Sequence, residues 1–207
     1  MSRRYGAPVS VPIRPATSIL VVDDRPDLEV LIGRRRPGSV FVGGMIVFPG
    51  GGVDPVDHTP EARERVPVGQ VPGLDAIEAA AILHAGVRET EEEVGLDLAG
   101  PGPVDPADFP HVGRWITPVP SPRRYDTHFF LGRYRGGEVV ADQIELVEVW
   151  WERPRATLER IETGDLEAIK PTIELLRSLS AYRTVAEAFA GTGIGGGTRH
   201  ENGWTSF

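Results

Sequence analysis

The 207-residue sequence predicts an α+β domain, a mixed β-sheet covered by α-helices. Three observations predict it. Short apolar runs bounded by Gly, Pro and Asp occupy the first fifty positions and recur between residues 115 and 151, as strands do. Between these two regions lies one long stretch of helical periodicity, Asp75 to Gly95. Beyond residue 151, two segments open on Pro154 and Pro171, and proline suits the first turn of a helix. With 40% hydrophobic and 25% charged residues, the chain has an ordinary globular composition and enough length for one full core.

Taken in order, residues 1–16 read as an extended lead-in broken by Pro8, Pro12 and Pro15. Ser18–Val22 and Leu28–Gly33 read as strands, and Asp23-Asp24-Arg25-Pro26-Asp27 between them reads as a hairpin-like turn. Arg34-Arg35-Arg36 is the densest basic cluster of an acidic chain, either a solvated strand end or a phosphate contact. Met45–Phe48 reads as a strand entering Pro49-Gly50-Gly51-Gly52-Val53-Asp54, where glycines let a ligand approach with no Cβ in the way. Residues 55–74 contain four prolines and no periodicity, and read as a loop or insertion. Asp75 and Glu78 have the spacing of a capping box, so the helix starts at Asp75.

A Pro-rich connector follows Gly95 to about Phe109. Trp115–Val119 and Tyr125–Tyr134 read as strands joined through Pro120-Ser121-Pro122-Arg123-Arg124, and Ile144–Trp151 as another. Helices are expected from Pro154 to about Ile161, from Pro171 to about Leu179, and from Thr184 to Ala190. Gly191–Gly197 contains a G-x-G-x-x-G-like run, but no strand precedes it and no helix follows, so it reads as linker. The predicted domain is therefore residues 17–182, with 183–207 a short helix and a flexible Gly-rich tail.

The chemistry concentrates at the end of the long helix. At about 100° per residue, Arg88, Glu89, Glu92 and Glu93 fall within roughly 140° of arc. Ala79, Leu83, Gly86, Val87, Thr90 and Val94 project the other way, while Glu91 stands apart and reads as solvated. Each like-charge pair among the acids costs a helix roughly 0.2–0.5 kcal/mol, and the helix dipole disfavours negative charge there by a similar amount. Arg88 offsets one carboxylate but not three. A hard divalent cation would remove the conflict, since Mg²⁺ prefers carboxylate oxygens and keeps waters.

Charge and composition exclude other classes. With 22 Lys+Arg against 30 Asp+Glu the net charge is −8, which argues against a nucleic-acid or anionic-membrane surface. No apolar h-region follows the basic Met1-Ser2-Arg3-Arg4, and no run is long enough to cross a bilayer. The absence of cysteine is compatible with a reducing cytoplasm, which is the expected location.

These residues resemble a known family. Arg88-Glu89-x-x-Glu92-Glu93-x-Gly95-Leu96 resembles the core of the Nudix box, G-x5-E-x7-R-E-U-x-E-E-x-G-U with U a bulky aliphatic residue, and Phe48-Pro49-Gly50-Gly51 resembles the loop that opens it. Val40–Gly44 running into Phe48–Asp54, Trp115–Pro118 and Arg123–Phe130 resemble the branch that includes peroxisomal coenzyme A diphosphatases. There are three departures. Gly51 and Arg88 are 37 positions apart where the uninterrupted pattern has 14, so about 23 residues are inserted. Ala80 stands where the box has Glu, with Glu78 a substitute or merely a helix cap, and Thr90 stands at an aliphatic position.

The resemblance implies a Nudix fold, a mixed sheet sandwiched between helices with extra C-terminal helices. It implies hydrolysis of a nucleoside diphosphate linked to another moiety, coenzyme A or a related conjugate first, with ADP-ribose, NAD(H) and nucleotide sugars open. It further implies Mg²⁺ or Mn²⁺ on Glu89, Glu92 and Glu93, and Arg88 orienting Glu89. Glu89 itself, or Glu145 or Glu148 downstream, would be the general base. Gly50 and Gly51 would border the substrate and Arg123 and Arg124 would clamp a phosphate, each equally readable as turn residues. His128 reads as structural. The expected partner is a small nucleotide; a homodimer is compatible with the sequence. A Nudix-fold module that senses a nucleotide without cleaving it is the rival from another class.

Overall fold

A computed structural model describes residues 11–40, 42–192, 198–199 and 205–206. The sheet is laid around β1 (Ile13–Asp24), which turns back antiparallel into β2 (Leu28–Arg35) and runs parallel to β5 (Arg124–Arg133). β2 also pairs antiparallel with β3 (Ile46–Val47) and with β6 (Leu146–Glu152). β4 (His111–Ile116) lies antiparallel to β5, and the sheet continues through β8 (Thr205–Ser206) to β7 (Thr198–Arg199). One parallel pair among antiparallel ones is the mixed sheet that the sequence predicts.

β1 separates the two halves of the core. Ile19 and Val21 join Leu83 and Val87 of α2 (Ala76–Val94), whereas Leu20 and Val22 join Leu175, Leu176 and Leu179 of α4 (Lys170–Leu179). Residues 19–22 are fully buried because strand alternation sends them into two covered faces. α3 (Pro154–Glu162) and α5 (Val185–Thr192) complete the second layer. Gly95 ends α2 in the left-handed conformation, φ 74°, and its N–H donates to the Glu91 carbonyl.

Several boundaries differ from the sequence reading. Residues 13–16 belong to β1, because the parallel register with β5 begins at Ile13↔Arg124 and supplies hydrogen bonds where no apolar run exists. β4 begins before Trp115 and stops at Ile116, ahead of Pro118 and Pro120, which have no N–H for a ladder. Residues 55–74 are structured. Asp54 and Thr59 cap a 3-10 turn, Pro55–His58, and α1 (Pro60–Arg65), and Val66 and Val71 pack into the core beside α2. Gly191 and Thr192 end α5, and β8 pairs with Gly113 and Arg114 of β4; residues 1–10, Phe41 and Gly193–Gly197 of the earlier assignments lie outside the described residues.

Where β1 parts from β2, the glycine loop takes its place. Thr17 N–H donates to the Gly51 carbonyl and Ile19 N–H to the Pro49 carbonyl, both at 2.9 Å. The Ser18 hydroxyl donates to the Pro49 carbonyl at 2.9 Å. The loop is thereby held by strand-like bonds over the end of α2.

Candidate active site

The register of α2 decides which acids meet the loop. Asp75 caps the helix, accepting from Ile77 N–H at 2.9 Å and Glu78 N–H at 3.0 Å. Its apolar positions from Ala79 to Val94 and Thr90 are buried, and the Thr90 hydroxyl donates to the Gly86 carbonyl at 2.7 Å, which satisfies a polar group at the aliphatic position. This seating turns Glu93 inward, 2% exposed, while Glu92 keeps 58% of its side-chain surface. The expected single charged face is therefore split.

Glu93 Oε2 accepts the Gly50 N–H at 2.9 Å, and Oε1 is buried with no partner. Burial pushes its pKa up to about 8, against the opposing Gly50 hydrogen bond. Burial also raises the pKa of Glu89, with Arg88 working in the opposite direction. A Cβ at Gly51 would overlap the Glu89 carboxylate, and one at Gly50 would overlap the Thr17 carbonyl. Both glycines are required by close approach.

Arg88 ties the acids together. Its Nη1 donates to Glu89 Oε1 at 2.9 Å and to Glu92 Oε2 at 3.0 Å, and its Nη2 donates to the Gly52 carbonyl at 3.3 Å. The remaining donors go to Asp57, a residue that motif spacing did not single out. Asp57 is buried within the 55–74 segment, and burial alone would raise its pKa. Hydrogen bonds from His84, Arg88 and the Asp54 backbone outweigh that and hold it near 2. The usable sequence signal was Asp54-Pro55-Val56-Asp57, a cap residue, a proline at the first helical position and an acid at the third. Glu78 is no substitute for the missing acid: it is exposed in the first turn of α2, ten residues or about 15 Å of helix before Arg88.

Of these groups, the glycine loop and Glu89 border a cavity of about 720 Å³, and Asp57, Arg88, Glu92 and Glu93 do not line it. Gly50–Gly52, Glu89, Glu145 and Arg35 line one part of it; Trp115, Thr117, Arg123, Tyr125 and Lys170 line another. Glu145 is joined to Arg35 Nη2 at 2.6 Å. Arg34 pairs with Glu148 at 2.8 Å, and Arg36 donates to the carbonyls of Gln143 and Ile144, so the basic cluster is engaged with the β6 side. Glu148 does not line the cavity. Arg123 lines it, but Arg124 does not: its Nε donates to the Thr117 carbonyl at 2.8 Å and secures the turn between β4 and β5. His128 is buried away from the cavity and shares a 3.1 Å hydrogen bond with His111.

A crystal structure of a Nudix hydrolase from Alicyclobacillus acidocaldarius is 30% identical in sequence, covering 89% of this chain and 99% of its own at a TM-score of 0.77. The chain belongs to the Nudix superfamily. Two more distant Nudix structures share the fold. The MutT protein from Methanosarcina mazei Go1 is 18% identical, with 90% of this chain and 99% of that chain covered and a TM-score of 0.52. The Nudix domain of Shewanella oneidensis NrtR, solved with ADP-ribose, is 13% identical, with 84% and 90% covered and a TM-score of 0.50. No family model matches the chain, and no curated protein matches it.

In this Nudix domain the described residues include no three acids or histidines already converged on one point. Arg88 draws Glu89 and Glu92, while Gly50 holds Glu93. The donor set still fits a hard divalent cation. Its members are carboxylate oxygens, one of them, Glu93 Oε1, is buried without a partner, and the neighbouring loop carries no Cβ. No described helix is long and apolar enough to cross a membrane.

Proposed function

We propose that this protein is a metal-dependent Nudix hydrolase that cleaves with water the diphosphate bond of a nucleoside diphosphate linked to a second moiety, coenzyme A or a related nucleotide conjugate. The observation that carries the proposal is the meeting of the Gly50–Gly52 loop, Glu89 and Glu145 on one cavity wall, with Glu93 anchored to Gly50 behind it. A cavity of about 720 Å³ lies within the 300–1,000 Å³ range of small-molecule sites. Segments that carry the likeness to coenzyme A diphosphatases, including Phe48–Asp54, Trp115, Thr117 and Arg123, are walls of that cavity, which supports this substrate class.

Glu89, Glu92 and Glu93 would hold Mg²⁺ or Mn²⁺, which when bound neutralises the diphosphate oxygens and lowers the pKa of an attacking water. Arg88 orients Glu89 and Glu92 through charge-assisted hydrogen bonds. Glu145, held by Arg35 at the cavity edge, is positioned to take the proton of the attacking water, with Glu89 the alternative base. Gly50 and Gly51 let the diphosphate approach the backbone, and Arg123 meets an anionic group of the substrate with its planar fork.

The test is a panel of coenzyme A, ADP-ribose, NAD(H) and nucleotide sugars, each with Mg²⁺ and with Mn²⁺, read by product mass. Two phosphomonoester products from the diphosphate bond of coenzyme A are expected. Cleavage of another member moves the substrate class. No metal-stimulated cleavage of any member favours the nucleotide-sensing module.

A further inference from the structure

We infer that Asp57, supplied by the inserted segment 55–74, is a positioning residue that aims Arg88 at Glu89 and Glu92. The insertion is then part of the reaction centre and not an appendage to it, an inference that rests on the hydrolase function proposed above.

Arg88 has five N–H donors in one rigid plane, and all five are assigned. Nε donates to Asp57 Oδ1 and Nη2 to Asp57 Oδ2, each at 3.0 Å. The second Nη2 hydrogen reaches the Gly52 carbonyl, and Nη1 serves Glu89 and Glu92. Because the guanidinium is planar, a two-point grip on Nε and Nη2 also fixes where Nη1 points. Without that grip, Arg88 is a cation between two carboxylates and can swing towards either.

Asp57 is itself held on every side. Oδ1 also accepts from His84 Nδ1 at 2.7 Å, and Oδ2 accepts the Asp54 N–H at 2.8 Å. Its side chain is 0% exposed, and a carboxylate buried to that degree is tolerated only when paired and hydrogen-bonded. The Asp54 bond matters for a second reason: Asp54 is where the glycine loop ends. One carboxylate therefore fastens the loop to the helix and sets the plane of the arginine between them. Position 80, where the box has an acid, holds a buried Ala and offers Arg88 nothing.

The experiment compares Asp57→Asn and Asp57→Glu with Val66→Ala, which loosens the same segment through a buried apolar residue outside the hydrogen bonds of Arg88. Three quantities are read for each: melting temperature, kcat and KM on the substrate identified by the panel, and Mn²⁺ affinity by calorimetry without nucleotide. Asp57→Asn should lower kcat by about 10–100-fold with KM within threefold, and weaken Mn²⁺ binding by a similar factor. Asp57→Glu keeps the charge and should recover part of both. Val66→Ala should lower the melting temperature and leave kcat and Mn²⁺ affinity near wild type.

Adding Asp57→Asn to Arg88→Ala should cost little beyond Arg88→Ala alone, because the two act as one unit. Losses that multiply in the double variant, or an Asp57→Asn profile matching that of Val66→Ala, would overturn the inference. If the wild type cleaves nothing on the panel, the hydrolase function fails separately. Mn²⁺ affinity then decides the positioning role, and an unchanged value in Asp57→Asn overturns it.

Discussion

Two polar clusters among the described residues are built on opposite principles. At the end of α2, Asp57, Glu89 and Glu92 share one arginine, Arg88, and Glu93 beside them keeps an oxygen with no partner. Between β4 and β5, His111, His128, Asp126 and Arg114 form two matched pairs: the histidines share a hydrogen bond, Arg114 grips Asp126 at 2.7 and 2.6 Å, and His128 lies 3.7 Å from Asp126. Burial lowers the pKa of His111 to about 3 and of His128 to about 4, so both are neutral near pH 7. Tyr125, Thr127 and Phe129 line the cavity, and strand alternation sends Asp126 and His128 to the other side of β5. A shifted pKa is thus common to both clusters and distinguishes neither; an unpartnered carboxyl oxygen behind the glycine loop of a cavity distinguishes the first.

Substitutions should separate the clusters in order of effect. Glu93→Gln, and likewise Glu92→Gln, should reduce turnover by about 10²–10³-fold, on the order of losing a principal electrostatic stabiliser. For Glu93→Gln the melting temperature should not fall, because the variant keeps an acceptor for Gly50 and replaces a buried carboxyl that burial already holds towards its neutral form. Turnover by Glu93→Gln within tenfold of wild type would remove that residue from the chemistry.

Gly51→Val should cost about 100-fold in kcat/KM. The sequence suggests that a side chain there bars the substrate, but the geometry puts its first carbon on the Glu89 carboxylate. The loss should therefore appear in Mn²⁺ affinity as well as in kinetics, and unchanged calorimetry would restore the simpler steric account.

His128→Asn should do the reverse. Leaving His111 without its partner costs about 1–3 kcal/mol, which lowers the melting temperature by roughly 2–4 °C per kcal/mol while kcat stays within about twofold.

The smallest effect is on pH dependence. The folded pKa values of His111 and His128 lie below the ordinary 6.5, so near pH 6.5 the unfolded chain takes up protons that the folded chain refuses. Their contribution to stability is full above pH 6.5 and is lost as the pH falls through about 4 and 3. Asp57, lowered from 3.8 to about 2, keeps its contribution above pH 3.8 and loses it only as the pH falls through 2. Glu93, raised from 4.5 to about 8, works the other way and gains stability as the pH falls below 8, so the test is a difference: between pH 7 and 4 the melting temperature should fall further in the wild type than in a His111→Asn, His128→Asn double variant. An equal fall in both would assign that window to other groups.

Legibility in the sequence followed distance along the chain. Asp75 as helix cap, Gly95 as its end, the inward set from Ala79 to Val94 and the glycine loop after Phe48 were all readable, because capping and periodicity act over a few residues. The hairpin at Asp23–Asp27 and the proline-led helices were readable for the same reason. Residues 13–16 were not, since their strand bonds come from β5.

What the sequence by itself determined was the acidic helix, its register and the loop placed before it, which was enough for the superfamily. Only the tertiary structure decided which acid is buried, that Arg35 holds Glu145 across 110 positions, that Arg124 is spent on a turn, and that Asp57 grips Arg88 across 31. The physical reason is that charge pairing and burial are set by what the fold brings within 3 Å, and residues far apart in the chain leave no periodic trace of that meeting.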